Sequence, residues 1–240
     1  MGRATLTFTG EPEYMGVASF DMDGVLVRGN SNMLVARERG MEDLARDLEA
    51  RRAAGEISTA QYNEGIAPVF EGLGHSDIRG FWEMLPKIGG IGDTVAVLAA
   101  DRIVPVVSTS GLGDFAEQFA VNYGFAAHLG AGLEYGPDGR ATGKRTSCVE
   151  PQDKVPFARQ ICIAKGVPYS DLVVVEDSIS GLPLLEWAQG NGGTGIAFNY
   201  DPSLDGKAGH YVKSGDIGDI LHIVMRALRV QERRTALELR

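Results

Sequence analysis

The stretch Val17-Ala18-Ser19-Phe20-Asp21-Met22-Asp23-Gly24-Val25-Leu26-Val27-Arg28 decides how the rest of the chain is read. An apolar run ends in two acids one residue apart, Asp21 and Asp23, and Gly24 follows at once. Buried strands of parallel sheets read as short apolar runs bounded by turn residues. Ligands of open α/β sheets gather at the carboxyl ends of such strands. Two carboxylates placed there repel each other in a poorly solvated site unless a cation stands between them. The stretch therefore predicts a β-strand over about 17–22 that delivers two acids to a metal or phosphate site. A polar strand end with an Asp-Gly turn is the plainer alternative, and the remainder of the chain has to choose between them.

At 240 residues the chain is long enough to bury a large core, as one domain or as a domain with an insert. Its hydrophobic content of 44% is ordinary for a globular protein and excludes a disordered one. The net charge of −9, with no long basic run, excludes nucleic acid as a partner. Only Cys148 and Cys162 occur, without a Cys-x-x-Cys, so neither a disulfide framework nor a zinc site is expected. Residues 1–10 lack the cationic start and apolar stretch of a signal peptide, and no run is long enough to span a bilayer. The expected setting is cytoplasmic, with no membrane partner.

Outward from the opening stretch, residues 3–9 alternate polar and apolar like an edge strand or arm. From 32 to 54 Leu34, Val35, Leu44 and Leu48 give one helical stripe among charges, interrupted by Gly55. Ser58 caps a helix over about 59–71, and Ser76 caps another over about 76–84. A helix near 92–101 leads to a strand at 102–107 that ends in Ser108-Thr109-Ser110-Gly111. A helix at 113–123 precedes a hairpin turning at Gly136-Pro137-Asp138-Gly139. Pro151 opens a helix to about 165, and Leu172-Val173-Val174-Val175 is a strand ending in Glu176-Asp177-Ser178. A helix at 181–189, strands at 196–198 and 209–212 and an amphipathic helix over 216–239 complete the chain.

Strands alternating with helices predict an α/β fold, a Rossmann-like parallel sheet with right-handed crossovers. The connection from 29 to 87 is far longer than an ordinary crossover. It reads as an inserted helical cap domain lying over a core made of residues 1–28 and 88–240.

Three strands end in polar groups, Asp21 with Asp23, Ser108 with Thr109, and Glu176 with Asp177, while Lys154 begins the helix before the third. In one parallel sheet these ends converge on one crevice. Carboxylates, a hydroxyl and a lysine suit phosphoryl transfer with a hard divalent cation such as Mg²⁺. In their order, Phe20-Asp21-Met22-Asp23-Gly24, Val106-Val107-Ser108-Thr109, Lys154 and Val174-Val175-Glu176-Asp177 resemble the four motifs of the haloacid dehalogenase superfamily. Within it the chain looks like the phosphoserine-phosphatase-type branch with a helical cap after the first motif.

That resemblance implies a Mg²⁺-dependent phosphatase acting through an aspartyl-phosphate. Asp21 would be the nucleophile and Asp23 the proton-transfer group. Ser108, with Thr109, and Lys154 would hold the phosphoryl oxygens. The metal would sit among Asp21, the backbone carbonyl of Asp23 and Asp177, with Glu176 as a further metal-shell group. Displacement of halide needs no acid at position 23, which disfavours dehalogenation. A phosphomutase or phosphotransferase of the same superfamily, or a catalytically silent binder of a phospho-ligand, is the alternative.

Two departures bear on substrate. The fourth motif of phosphoserine-phosphatase relatives has an acid where this chain has Gly181, and its Glu-Asp-Ser form resembles the branch holding β-phosphoglucomutase and small sugar-phosphate phosphatases. In the cap, Asn30 stands where such relatives carry a glutamate for the substrate amine, and Ile66 where they carry an arginine for the carboxylate. A bidentate carboxylate partner cannot become isoleucine without losing that substrate. The expected substrate is a small phosphorylated metabolite other than phosphoserine, with Arg28, Asn30 and Ile66 as candidate specificity positions and Arg51-Arg52 as a solvated helix end. The final helix is a core element or a dimer face, so a monomer or homodimer is expected.

Overall fold

The computed structural model describes residues 14–230. The apolar run of the opening stretch forms β1 (Gly16–Phe20), and every residue in it is buried. Six further strands follow: β2 (Ile103–Leu112), β3 (Ala127–Tyr135), β4 (Ala141–Ser147), β5 (Leu172–Glu176), β6 (Thr194–Phe198) and β7 (His210–Val212). They make one seven-stranded sheet in the order β4-β3-β2-β1-β5-β6-β7. All neighbours are parallel except β3 and β4, the expected hairpin, which pair antiparallel at the edge.

Strand periodicity splits the core into two layers. On one face Phe20, Val107, Val173, Val175 and Ile196 pack against α5 (Ile91–Ala100) and α6 (Gly113–Tyr123) through Val95, Leu98, Phe115 and Phe119. On the other, Val17, Val106, Leu172 and Val174 pack against α7 (Lys154–Lys165) and α8 (Leu182–Gly190) through Ala158, Cys162, Leu184 and Leu185. A strand buried on both faces needs apolar residues at every position, which is why β1 and β5 read as unbroken apolar runs.

The long connection after β1 is helical: α1 (Ser31–Glu38), α2 (Glu42–Ala53), α3 (Thr59–Ile66), a 3₁₀ turn (Ala67–Phe70) and α4 (His75–Met84). The single helix expected over 32–54 is two helices, because Gly40 takes φ 69°, a left-handed conformation that ends α1. Ser58 caps α3 as expected, in a reciprocal pair with Gln61. Ser76 does not cap α4. Gly74 is the N-cap, and its N–H donates to the Asp77 carboxylate at 2.9 Å.

The closing segment is also broken where a single helix was expected. Asp216 caps a 3₁₀ turn (Ile217–Ile220), and α9 (Leu221–Ala227) ends two residues before Arg229, which has φ 50°. The strand expected at 3–9 and the last residues of that helix lie outside the described residues. Among the described residues no helix is long and apolar enough to cross a membrane.

Candidate active site

β1 is the centre of the sheet, so the residue after it, Asp21, emerges between the ends of its neighbours β2 and β5. Parallel registry carries this through: Phe20 pairs with Val107 on one side and Val175 on the other. The next residues on the three strands are Asp21, Ser108 and Glu176. Asp21, Asp23, Thr109 and Asp177 line one cleft of about 930 Å³.

Asp21 is buried, and both of its oxygens are engaged. Oδ1 accepts the Met22 N–H at 2.7 Å, and Oδ2 lies 3.0 Å from Lys154 Nζ. Lys154 is fully buried and donates also to Glu176 Oε2 at 2.8 Å. Burial opposes the charge on Lys154, but Asp21 and Glu176 outweigh it and hold the ammonium protonated. Burial acts on Glu176 in the other direction, raising it well above the usual carboxylate range in spite of Lys154.

Asp23 is fixed by a residue that the sequence reading did not single out. Ser31, fully buried at the start of α1, donates its N–H to Asp23 Oδ1 and its hydroxyl to Oδ2, each at 3.0 Å. Burial and the neighbouring Asp21 charge push Asp23 up to about 7, against the two Ser31 hydrogen bonds. Asp177 is likewise raised to about 7, first by burial and then by Asp21. Its close approach explains Gly24. Gly24 has φ 81°, and a Cβ there would lie 1.9 Å from Asp177 Oδ2.

Not all the expected residues reach the cleft. Ser108 is fully buried, and Thr109, Ser110 and Gly111 form the wall at that strand end. Lys154 touches Asp21 from behind the wall. Glu176, expected in the metal shell, is instead sealed against Lys154 and does not line the cleft. Gly181 belongs to that arrangement, since a Cβ there would sit 2.2 Å from Glu176 Oε2. The glycine that looked like a lost acid is what lets a glutamate fill position 176.

The helical segment also departs from expectation. Ile66 is fully buried in the core and does not line the cleft, so its side chain does not read a substrate there. Asn30 lines the cleft and serves as the α1 N-cap, its Oδ1 accepting the Met33 N–H at 3.1 Å. Arg28 is exposed at the cleft. Arg52 is not a solvated helix end: it enters the cleft from α2 with Glu49, joined to it by an ion pair. A helical period of three placing an acid and an arginine on one face was the only signal in the sequence.

The donor set suits a hard cation in a particular way. No three His, Cys, Asp or Glu side chains among the described residues form a self-sufficient metal cage. Mg²⁺ uses one or two carboxylates and completes its shell with carbonyls, water and substrate phosphate. Asp21 and Asp177, both on the cleft and with Asp177 raised by burial and then by the Asp21 charge, fit that pattern.

The chain matches the profile of the family described as haloacid dehalogenase-like hydrolase over residues 18–186. A phosphoserine phosphatase of Halobacterium salinarum is 28% identical over 209 residues, covering 86% of this chain and 97% of that protein. Among solved structures, a phospho-aspartyl intermediate analogue of phosphoserine phosphatase superposes with TM-score 0.75 at 21% identity, covering 88% of this chain and 99% of that one. A HAD family hydrolase from Salmonella enterica serovar Typhi superposes with TM-score 0.80 at 18% identity, covering 88% of this chain and 71% of that one.

Proposed function

The chain belongs to the haloacid dehalogenase-like hydrolase family, and from that premise we propose that it is a Mg²⁺-dependent phosphatase of a small phosphorylated metabolite, working through an aspartyl-phosphate on Asp21. The observation that carries the proposal is the convergence of Asp21, Asp23 and Asp177 on one cleft with Lys154 buried against Asp21.

In this reading Asp21 forms a bond to phosphorus as the bond to the leaving oxygen breaks. Asp23, raised to about 7, has a proton to give that oxygen at neutral pH and afterwards takes one from the water that opens the aspartyl-phosphate. Lys154 orients Asp21 and offers positive charge beside the transferring group, and the wall from Thr109 to Gly111 supplies hydroxyl and backbone N–H groups. Asp21, the carbonyl of Asp23 and Asp177 would hold Mg²⁺, which when bound screens the repulsion between carboxylates and phosphate. The proposal keeps residues 29–87 as a helical cap over the core, because α1, α2 and α3 all contribute to the cleft. It keeps phosphoserine outside the substrate range on the ground that Asn30 has no charge for an amine, although Glu49 and Arg52 bring an acid and a guanidinium to the same cleft.

Phosphate release from p-nitrophenyl phosphate tests the proposal. Wild-type protein is expected to release phosphate with Mg²⁺, to stop with EDTA and to recover when Mg²⁺ is restored. Asp21→Asn is expected to abolish release while keeping the circular dichroism spectrum. Activity retained in Asp21→Asn, or indifference to chelator, would overturn it. Isomerisation of a sugar phosphate without net phosphate release would assign the same residues to a mutase.

A further inference from the structure

We infer that Asn63 of α3, held in turn by Arg145 of β4, is a positioning residue for the phosphoryl-binding wall at 109–111, and in particular for the Thr109 hydroxyl. The inference rests on the phosphatase reading and adds to it a device by which the helical segment completes the site.

The wall needs support because it leaves the sheet. Ser108 of β2 pairs with Leu129 of β3 and Leu112 with Ala131, so residues 109, 110 and 111 stand opposite residue 130 alone. An insertion of this kind interrupts the ladder. Backbone groups within it must then find partners elsewhere. The peptide joining Ser110 to Gly111 finds one at each end. Its carbonyl accepts Asn63 Nδ2 at 3.0 Å, and its N–H donates to Thr109 Oγ1 at 2.9 Å.

The second of those bonds decides what the hydroxyl does. Thr109 is 2% exposed and lines the cleft. A hydroxyl carries one proton and two lone pairs. With the Gly111 N–H on one lone pair, the proton points away from the backbone and is left to donate to a phosphoryl oxygen. The proton-transfer residue is close by: a Cβ on Gly111 would lie 3.2 Å from Thr109 Oγ1 and 3.5 Å from Asp23 Oδ2. A turn of the 110–111 peptide would withdraw its N–H from Oγ1 and spoil the aim of a donor set where charge develops.

Asn63 and Arg145 are poor choices for stability. Asn63 is fully buried in the middle of a helix, where asparagine is disfavoured, and its Oδ1 has no hydrogen-bond partner among the described residues. Arg145 reaches it from β4, donating Nε to the Asn63 carbonyl at 3.1 Å, with the guanidinium 5.2 Å from the centre of the Phe70 ring. That carbonyl is open because Pro68, without an N–H, ends the helix and the Ala67 N–H turns to the Glu64 carbonyl. The other two guanidinium nitrogens are buried without a hydrogen-bond partner among the described residues, and burial lowers Arg145 to about 10. Unpaired buried polar groups oppose folding. What the two residues supply instead is a chain of orientation, from Arg145 through Asn63 and the 110–111 peptide to Thr109.

The test measures turnover of p-nitrophenyl phosphate, with thermal unfolding as the check on folding. Asn63→Leu keeps the volume and removes the donor, and Thr109→Val keeps the shape and removes the hydroxyl. Each is expected to lower kcat at least tenfold with KM changed less than threefold, since the hydroxyl is aimed at the transition state. The double variant is expected to fall within threefold of Thr109→Val alone, because Asn63 acts through that hydroxyl. Inhibition by orthovanadate, which adopts the five-coordinate geometry of a transferring phosphoryl group, is expected to weaken in step with kcat. Inhibition by inorganic phosphate is expected to move less than threefold. Arg145→Met is expected to repeat the pattern more weakly, and it carries the test if Asn63→Leu does not fold. Losses that multiply in the double variant, a folded Asn63→Leu with kcat within threefold of wild type, or failure of both Asn63→Leu and Arg145→Met to fold would overturn the inference and leave the two residues a structural role. Wild-type turnover would in each of those cases keep the phosphatase reading standing. No turnover of p-nitrophenyl phosphate by the wild type would sink both.

Discussion

Lys154 Nζ lies 3.0 Å from Asp21 Oδ2, and neither side chain is more than 6% exposed. A lysine in the first turn of α7 thus ends against the residue that follows the central strand, with Glu176 closing the far side at 2.8 Å. Removing one partner of a buried pair leaves the other charge uncompensated. Lys154→Met leaves Asp21 and Glu176 facing each other without a cation, and is expected to cost about 3–5 kcal/mol of unfolding free energy along with activity. Urea unfolding checks the first and phosphate release the second. Glu176→Gln keeps a hydrogen-bond acceptor for Lys154 and is expected to cost less.

Gly24 and Gly181 each make room for a carboxylate of the site. Gly24→Ala adds the strain of φ 81°, about 1–2 kcal/mol, and pushes Asp177 away, so lower stability and weaker Mg²⁺ activation are expected together. Gly181→Ala meets the Glu176 side chain first. Its cost is therefore expected to shrink when Glu176 is also truncated to alanine, with a coupling of about 0.5–3 kcal/mol in a double-mutant cycle by urea unfolding. Additive costs would separate the two residues.

Ser31 donates two hydrogen bonds to Asp23, both of which lower its pKa. Ser31→Ala removes the hydroxyl bond and keeps the N–H bond. The pKa of Asp23 then rises further. A group that must be protonated to act as acid stays competent to higher pH when its pKa rises, so the alkaline limb of the kcat/KM profile is expected to move up. Its height is expected to fall by about tenfold, the value of one hydrogen bond of about 1–1.5 kcal/mol.

Asp23 and Asp177 are both raised from 3.8 to about 7 in the folded protein. Between those values the folded state binds more protons than the unfolded one, so their contribution to stability is fully present below about pH 3.8. It declines as pH rises and is lost above about 7. Without divalent metal, the melting temperature is expected to drop from pH 5.5 to pH 8 by more than in a variant carrying Asp23→Asn and Asp177→Asn. Added Mg²⁺ is expected to raise it more at pH 8 than at pH 5.5, because there the carboxylates carry no competing protons. Differential scanning fluorimetry at the two pH values reads both effects.

The sequence by itself determined the sheet and the chemistry at its edge. Strands buried on both faces must be apolar throughout, so β1 and β5 were legible as unbroken runs, and the acids at 21, 23 and 177 had to follow where those runs stopped. Their order along the chain, with Lys154 placed before β5, sufficed for the family. Helix boundaries were less legible because Gly40 and Gly74 act through backbone conformation and capping, which periodicity does not register.

Only the tertiary structure decided which polar residues share the cleft. It put Thr109 on the cleft wall without Ser108, buried Ile66 in the core, sealed Glu176 behind Lys154 with Gly181 making the space, and brought Ser31 onto Asp23. It also turned Arg52, with Glu49, from a solvated helix end into a wall of the cleft. The physical reason is one of range. Strand burial is a local property that every residue of the run reports, whereas the neighbours of a carboxylate or a guanidinium come from distant elements whose approach no single segment encodes.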